Sequence, residues 1–166
     1  MHGTVNGYRY LRSHEEVQKM NYSDEFYTMK GYELNADGEL TSAMEDYLEM
    51  ISRLTRQNES VRVSELSKML HVKASSVTKM VQQLGQSGFI QAEKYGDIYL
   101  TDKGRKTGNY LLYRHEVISC FLCALNHSDN ELEQVEKIEH FLDRTTVKNL
   151  ELLTAYLTEN CSGDIK

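Results

Sequence analysis

No apolar run in this chain approaches the ~20 residues that a membrane-spanning helix requires. Its opening residues, MHGTVNGYRYLRSHEEV, are polar and lack the apolar core of a secretory signal. A cytoplasmic location without a membrane partner is therefore expected. Three cysteines, an odd number, argue against a disulfide framework and fit a reducing compartment. No Gly-rich phosphate loop and no nucleophile elbow occurs, so an enzyme is not expected and no organic cofactor is called for. A ferritin-like di-metal enzyme would need Glu-x-x-His on each of two helices, and EKIEH does not offer that spacing.

What is present is 166 residues with 40% hydrophobic and 27% charged content. That suffices for one domain, or for a small domain with a second helical lobe. The net charge of −6 argues at first against nucleic acid, but the charge is unevenly spread. Between Val61 and Tyr110 stand eight Lys or Arg against four acids, a local excess of +4. A basic island inside an acidic chain is the electrostatic footprint of a nucleic-acid-binding face.

Residues 1–40 hold five of the eleven tyrosines and show no sustained helical period, so they read as an extension or linker. A helix is expected from Ser42, where SAME forms a capping box, with Met44, Tyr47, Leu48, Ile51 and Leu54 at helical spacing. VRV then reads as a short strand leading to Ser64 as the cap of a second helix, with Leu66, Met69 and Leu70 facing inward. After a break at His71–Lys73, ASSVTKMVQQL gives a third helix with Val77, Met80, Val81 and Leu84 as its core stripe. Two short helices joined by so few residues suggest a helix-turn-helix. FIQAEKYGDIYLT follows as a hairpin around Tyr95, Gly96 and Asp97. The expected fold is mainly α: a winged helix-turn-helix over 41–106, an all-helical lobe over 107–160, and a tail over 161–166. The lobe's helices carry apolar stripes, Leu111, Ile118, Phe121, Leu122 and Leu125 in the first and Leu132, Val135, Ile138 and Leu142 in the second. These faces are ample for a dimer interface.

Spacing leaves Ser75, Ser76, Thr78, Lys79, Gln82 and Gln83 facing out on the third helix, with Lys94 and Tyr95 at the wing tip. Hydroxyls and Lys suit phosphates, and Gln pairs with adenine through two hydrogen bonds in the major groove. Double-stranded DNA is the expected partner, although a winged helix can also serve protein contacts.

A second pattern is acidic. VEKIEHFL sets Glu136, Glu139 and His140 on one stripe of a short helix, where like charges one turn apart repel by a few tenths of a kcal/mol. Asp46 and Glu49 repeat the spacing on the first helix, and His115 stands at the edge of an apolar face in YRHEVI. Four carboxylates and two imidazoles, without thiolate or thioether, favour Mn²⁺ or Fe²⁺ by ligand hardness. Periodicity alone does not bring the six together. Cys120 and Cys123, with His127 nearby, form a lone CxxC that packing accounts for better than zinc or redox chemistry.

From about Thr41 to Asn160 the chain resembles the diphtheria-toxin-repressor family, most of all its manganese-transport-regulator branch. MEDYLEMI, ASSVTKMVQQL, EKYGDIYLTDKG, YRHEVI and VEKIEH carry the likeness, in the family's order and spacing. It implies a homodimeric, metal-responsive repressor of DNA operators that controls metal homeostasis, with two ions per subunit and with the all-helical lobe over 107–160 as a metal-binding and dimerisation domain. Carried over by position, the manganese-type ligands fall on Asp46, Glu49, His115, Glu136, Glu139 and His140. The iron-sensing branch has Met and Cys where Asp46 and Glu136 stand here, so the likeness favours manganese over iron. Ser119 replaces an acid that some relatives carry, the chain is expected to lack a C-terminal SH3-like domain, and the likeness does not cover the extension. The alternatives are an iron-specific member of the family and a winged-helix regulator that senses a small organic ligand.

Overall fold

A computed structural model describes residues 40–93 and 96–160. The expectations for residues 1–39, for the tail over 161–166, and for Lys94 and Tyr95 lie outside the described residues. Among those described, no helix is long and apolar enough to cross a membrane.

Helix α1 spans Ser42–Leu54. Its cap is Thr41, not Ser42: Thr41 is extended, and its Oγ1 accepts a hydrogen bond from the Met44 amide at 3.3 Å. The expected capping box therefore does not form, and Glu45 is left for another partner. The VRV segment contributes one isolated bridge, Val61 against Ile98, rather than a strand. Helix α2, Val63–Met69, is capped by Arg62 instead of Ser64. Its seven residues make less than two turns, so Leu66 alone is buried and Met69, expected inside, is 45% exposed. Helix α3, Ala74–Gln86, buries Val77, Val81 and Leu84 as expected. Gly88, at φ +75°, then reverses the chain into the buried Phe89, a conformation glycine adopts without steric cost.

Strands β1, Ile90–Ala92, and β2, Ile98–Leu100, pair antiparallel with Ile90 opposite Leu100 and Ala92 opposite Ile98. Met44, Leu48, Ile51, Val61, Leu66, Val77, Leu84, Phe89, Ile90 and Ile98 pack into one core, which completes a winged helix.

Thr101 caps helix α4, Asp102–Asn126, by accepting from the Gly104 amide at 3.0 Å. This helix belongs to both halves. Leu111 packs into the winged-helix core, whereas Ile118 and Leu122 form a second core with Val135. Leu125 and Leu132, expected to pack inside, are 54% and 50% exposed because they fall at the ends of their helices. Helix α5 runs over Leu132–Ile138 and stops there; Glu139–Phe141 is a 3-10 turn. The single stripe expected for Glu136, Glu139 and His140 is thus broken between the first and second of them. Helix α6, Arg144–Asn160, closes the lobe, with Arg144 stacked 3.6 Å from the Tyr110 ring centroid.

Helices α1 and α4 run antiparallel, since Ser52 meets Gly108 while Glu45 meets Arg114. A Cβ on Gly108 would lie 1.8 Å from Ser52 Oγ and 2.8 Å from Ser52 Cβ, and that hydroxyl is already bonded to the Leu48 carbonyl at 2.8 Å. Gly108→Ala is expected to lower stability by about 1–3 kcal/mol, the usual cost of overpacking, measured by urea denaturation. An unchanged midpoint would mean that the two helices do not approach this closely.

Candidate metal centre and nucleic-acid face

The antiparallel crossing sets the acidic face of α1 against α4 and the 3-10 turn. Asp46 and Glu49 come from α1, His115 from α4, Glu136 from α5, and Glu139 and His140 from the 3-10 turn. All six residues named from the sequence lie at this junction, although Glu136 falls in neither of the two donor groups found there. Two groups of donors have ligand atoms lying within 4.8 Å of one another: Asp46, Glu139 and His140, and Glu49, His115 and Glu139. Bonds of ~2.0–2.6 Å place two donors on one ion no more than about 4–5 Å apart. The oxygen-rich, sulfur-free donor chemistry fits a hard or borderline divalent cation.

Glu139 belongs to both groups and is 1% exposed. Its Oε2 lies 3.2 Å from His115 Nδ1, and Glu49 Oε1 lies 3.7 Å from the same nitrogen. Glu136 is farther out, its Oε1 4.0 Å from His115 Nδ1. On the other side, His140 Nε2 is 2.9 Å from Asp46 Oδ1. The break in the helix after Ile138 turns Glu139 and His140 into the junction while Glu136 stays exposed.

Electrostatics at this junction is strained in a consistent direction. Burial and the Glu139 carboxylate push the pKa values of Glu49 and Glu136 above the usual range. The hydrogen bond that His115 donates to Glu139 raises its pKa against burial, with Glu49 adding to it. Burial pushes His140 down, but Asp46 and Glu45 overcome it and raise its pKa to about 9.

Three partners were not singled out from the sequence. Arg53 donates to Glu49 Oε1 at 2.7 Å, one turn along α1. Glu45 Oε2 accepts from Arg114 Nη2 at 2.8 Å and lies 2.8 Å from His140 Nδ1. Burial pushes Glu45 up, yet the bonds from His140 and Arg114 hold it below the ordinary carboxylate value. A signal for Arg114 was available. It lies three residues after Leu111 and four before Ile118, on the buried stripe, where a guanidinium requires an acid partner.

The other face is α3 and the wing. Ser75, Ser76, Thr78, Lys79, Gln82 and Gln83 are all exposed. Thr78 Oγ1 donates back to the Ala74 carbonyl at 2.9 Å. An open groove of about 910 Å³ runs between α3 and the hairpin, lined by Arg62, Ser64, Thr78, Gln82 and Glu93 among others. Among the described residues, neither Cys120 nor Cys123 joins a metal-type grouping. Cys120 is exposed rather than packed, and partial desolvation of its thiol, with Glu116 alongside, pushes its pKa up.

Residues 39–98 match the family description "Iron dependent repressor, N-terminal DNA binding domain", and residues 101–166 match "Iron dependent repressor, metal binding and dimerisation domain". The HTH-type transcriptional regulator MntR of Shouchella clausii (strain KSM-K16) is 40% identical over 121 residues, 72% of this chain and 85% of that protein. The protein of the same name from Bacillus subtilis (strain 168) is 39% identical over the same shares. Among solved structures, the manganese regulator SloR superposes with a TM-score of 0.60 at 27% identity, over 70% of this chain and 55% of that one. The metal-dependent transcriptional regulator MtsR gives 0.62 at 27% identity over the same shares. The chain thus spans little more than half the length of these two solved relatives.

Groups whose pKa is higher folded than unfolded stabilise the fold below the unfolded value and lose that contribution as pH rises through the folded value. For His140 the window runs from 6.5 to about 9. Chelator-treated protein is expected to lose thermal stability across that window, with His140 titrating near 9 by NMR. A His140 midpoint at or below 6.5 would exclude its pairing with Asp46 and Glu45.

Proposed function

Because this chain belongs to the iron dependent repressor family, we propose that it is a homodimeric, manganese-responsive transcriptional repressor holding its ions between α1 and the helical lobe. The observation that carries this reading is the convergence of two donor groups on Glu139, each drawing one acid from α1 and one imidazole from the lobe. Asp46, Glu49, His115, Glu136, Glu139 and His140 are the proposed ligands. The absence of thioether and thiolate from this set favours Mn²⁺, and the names of the relatives point the same way. When bound, two divalent ions supply about four positive charges to the junction.

The chain's own residues link that charge to DNA. Asp46 and Glu49 share α1 with Met44, Leu48 and Ile51, which sit in the winged-helix core against α3. Holding α1 against the lobe therefore holds α3 in a defined place relative to the dimer. The apolar side chains left exposed on the lobe, Phe141, Leu152, Leu153 and Tyr156, supply a surface for a second copy. Two recognition helices spaced near one helical turn of DNA would then enter successive major grooves. In that arrangement Ser75, Ser76, Thr78 and Lys79 would meet the backbone and Gln82 and Gln83 the base edges, with Lys94 and Tyr95 as further DNA contacts on the sequence reading.

Metal and DNA are expected to strengthen each other's binding by the same factor, typically ~5–150-fold. Band shifts with Mn²⁺, anaerobic Fe²⁺ and chelator measure it, and equal DNA affinity under all three overturns the reading. Glu139→Gln is expected to abolish the metal response because both donor groups lose the negative charge of their shared carboxylate. Glu136→Gln, at the exposed edge, retains part of it. On operators selected from random duplexes, Lys79→Ala should weaken binding uniformly and lower the salt slope by about one. Gln82→Ala should cost ~1–3 kcal/mol at one base pair and relax selectivity there.

A further inference from the structure

Arg114 is 4% exposed, and its Nε has no hydrogen-bond partner. A guanidinium so deeply buried is costly unless an acid meets it. That acid is Glu45, whose Oε2 accepts from Arg114 Nη2 at 2.8 Å. The same oxygen lies 2.8 Å from His140 Nδ1, while Arg114 Nη2 lies 3.3 Å from that nitrogen. A guanidinium has no lone pair to offer. A carboxylate between two donors therefore fixes the proton on His140 Nδ1 and directs it to Glu45. Nε2, whose proton faces Asp46 2.9 Å away, is then the nitrogen that a cation would deprotonate and bind, in a donor group shared with Glu139.

The geometry points to Glu45 and Arg114 as a positioning pair: Glu45 sets the tautomer and ring orientation of His140, and Arg114 holds Glu45 in place. The inference rests on the metal-binding reading, because orientation of Nε2 matters for a ligand. Metal-bound imidazoles depend on a partner at the other ring nitrogen, and loss of that partner commonly costs 10–100-fold in affinity. The pair also joins three elements. Glu45 is on α1, Arg114 on α4, and His140 on the 3-10 turn. A plain strut between α1 and α4 would explain the ion pair but would have no effect on His140.

The test uses the full-length protein, with Mn²⁺ affinity by calorimetry and ¹⁵N histidine NMR of the protein loaded with Cd²⁺, a diamagnetic stand-in. Glu45→Gln keeps an oxygen acceptor for Nδ1 and should hold Mn²⁺ affinity within about threefold of the parent. Glu45→Leu and Arg114→Met should each lose on the order of 10–100-fold. In both, the His140 nitrogen pattern should change while that of His115 does not. Should Glu45→Leu fail to fold around an orphan guanidinium, the double variant Glu45→Leu with Arg114→Met buries no unpaired charge and carries the test. Variants that lose thermal stability yet keep the His140 pattern and Mn²⁺ affinity would reduce the pair to a strut and overturn the inference. So would Glu45→Gln losing as much as Glu45→Leu, which would assign the effect to charge rather than orientation. Failure of the metal-binding reading shows earlier and separately, as a parent protein that takes up neither Mn²⁺ nor Cd²⁺ at His140.

Discussion

The placing of every proposed ligand depends on how closely α1 lies against α4. The contact is made by Ser52 in the space left by Gly108, and it lets α1 serve two purposes. One face, with Met44, Leu48 and Ile51, completes the winged-helix core. The next face carries Glu45, Asp46 and Glu49 toward the lobe. With a side chain at Gly108 the helices would separate, and those acids would no longer reach His115, Glu139 and His140.

Such an arrangement concentrates negative charge at the junction, and repulsion among the four carboxylates alone would favour separation of the halves. Among the described residues that repulsion is offset in three places. Arg53 covers Glu49, His115 sits against Glu139, and His140 lies between Asp46 and Glu45. Each offset is a group that a divalent cation can replace or whose proton it can displace. Arg114 differs, because it neutralises Glu45, which is not among the proposed ligands. The centre thus combines exchangeable charge balance with one pair outside the ligand set.

Much of this was legible in the residue pattern, for definable reasons. Helical periodicity located α1, α3 and α4 because each is long enough for its apolar stripe to repeat, as in Val77, Val81 and Leu84. It misplaced the caps. Thr41 and Ser42 both offer a hydroxyl, and backbone geometry rather than residue type selects between them. Periodicity also carried α5 too far, since nothing in EKIEHFL marks the change to a 3-10 turn. The same error hid part of the site's logic. Glu45, read as a capping residue, is free to meet Arg114 and His140 because the cap lies one position earlier. Which acids share an oxygen-rich site is a question of tertiary approach, and spacing along one helix cannot answer it.

The continuity of α4 sets the scale of the response. One unbroken helix, Asp102–Asn126, runs from the winged-helix core into the lobe core, and α1 is pinned to it at Gly108 and again at Arg114. A wide hinge between the halves would have to break these contacts, the Glu45–Arg114 ion pair among them. Coupling between two ligand sites typically amounts to only ~1–3 kcal/mol. A ligand shifts an equilibrium only by its difference in affinity for the two states. On the proposed function, the regulated change is a small adjustment of α1 and the recognition helix attached to it, amplified because two copies must fit one duplex together.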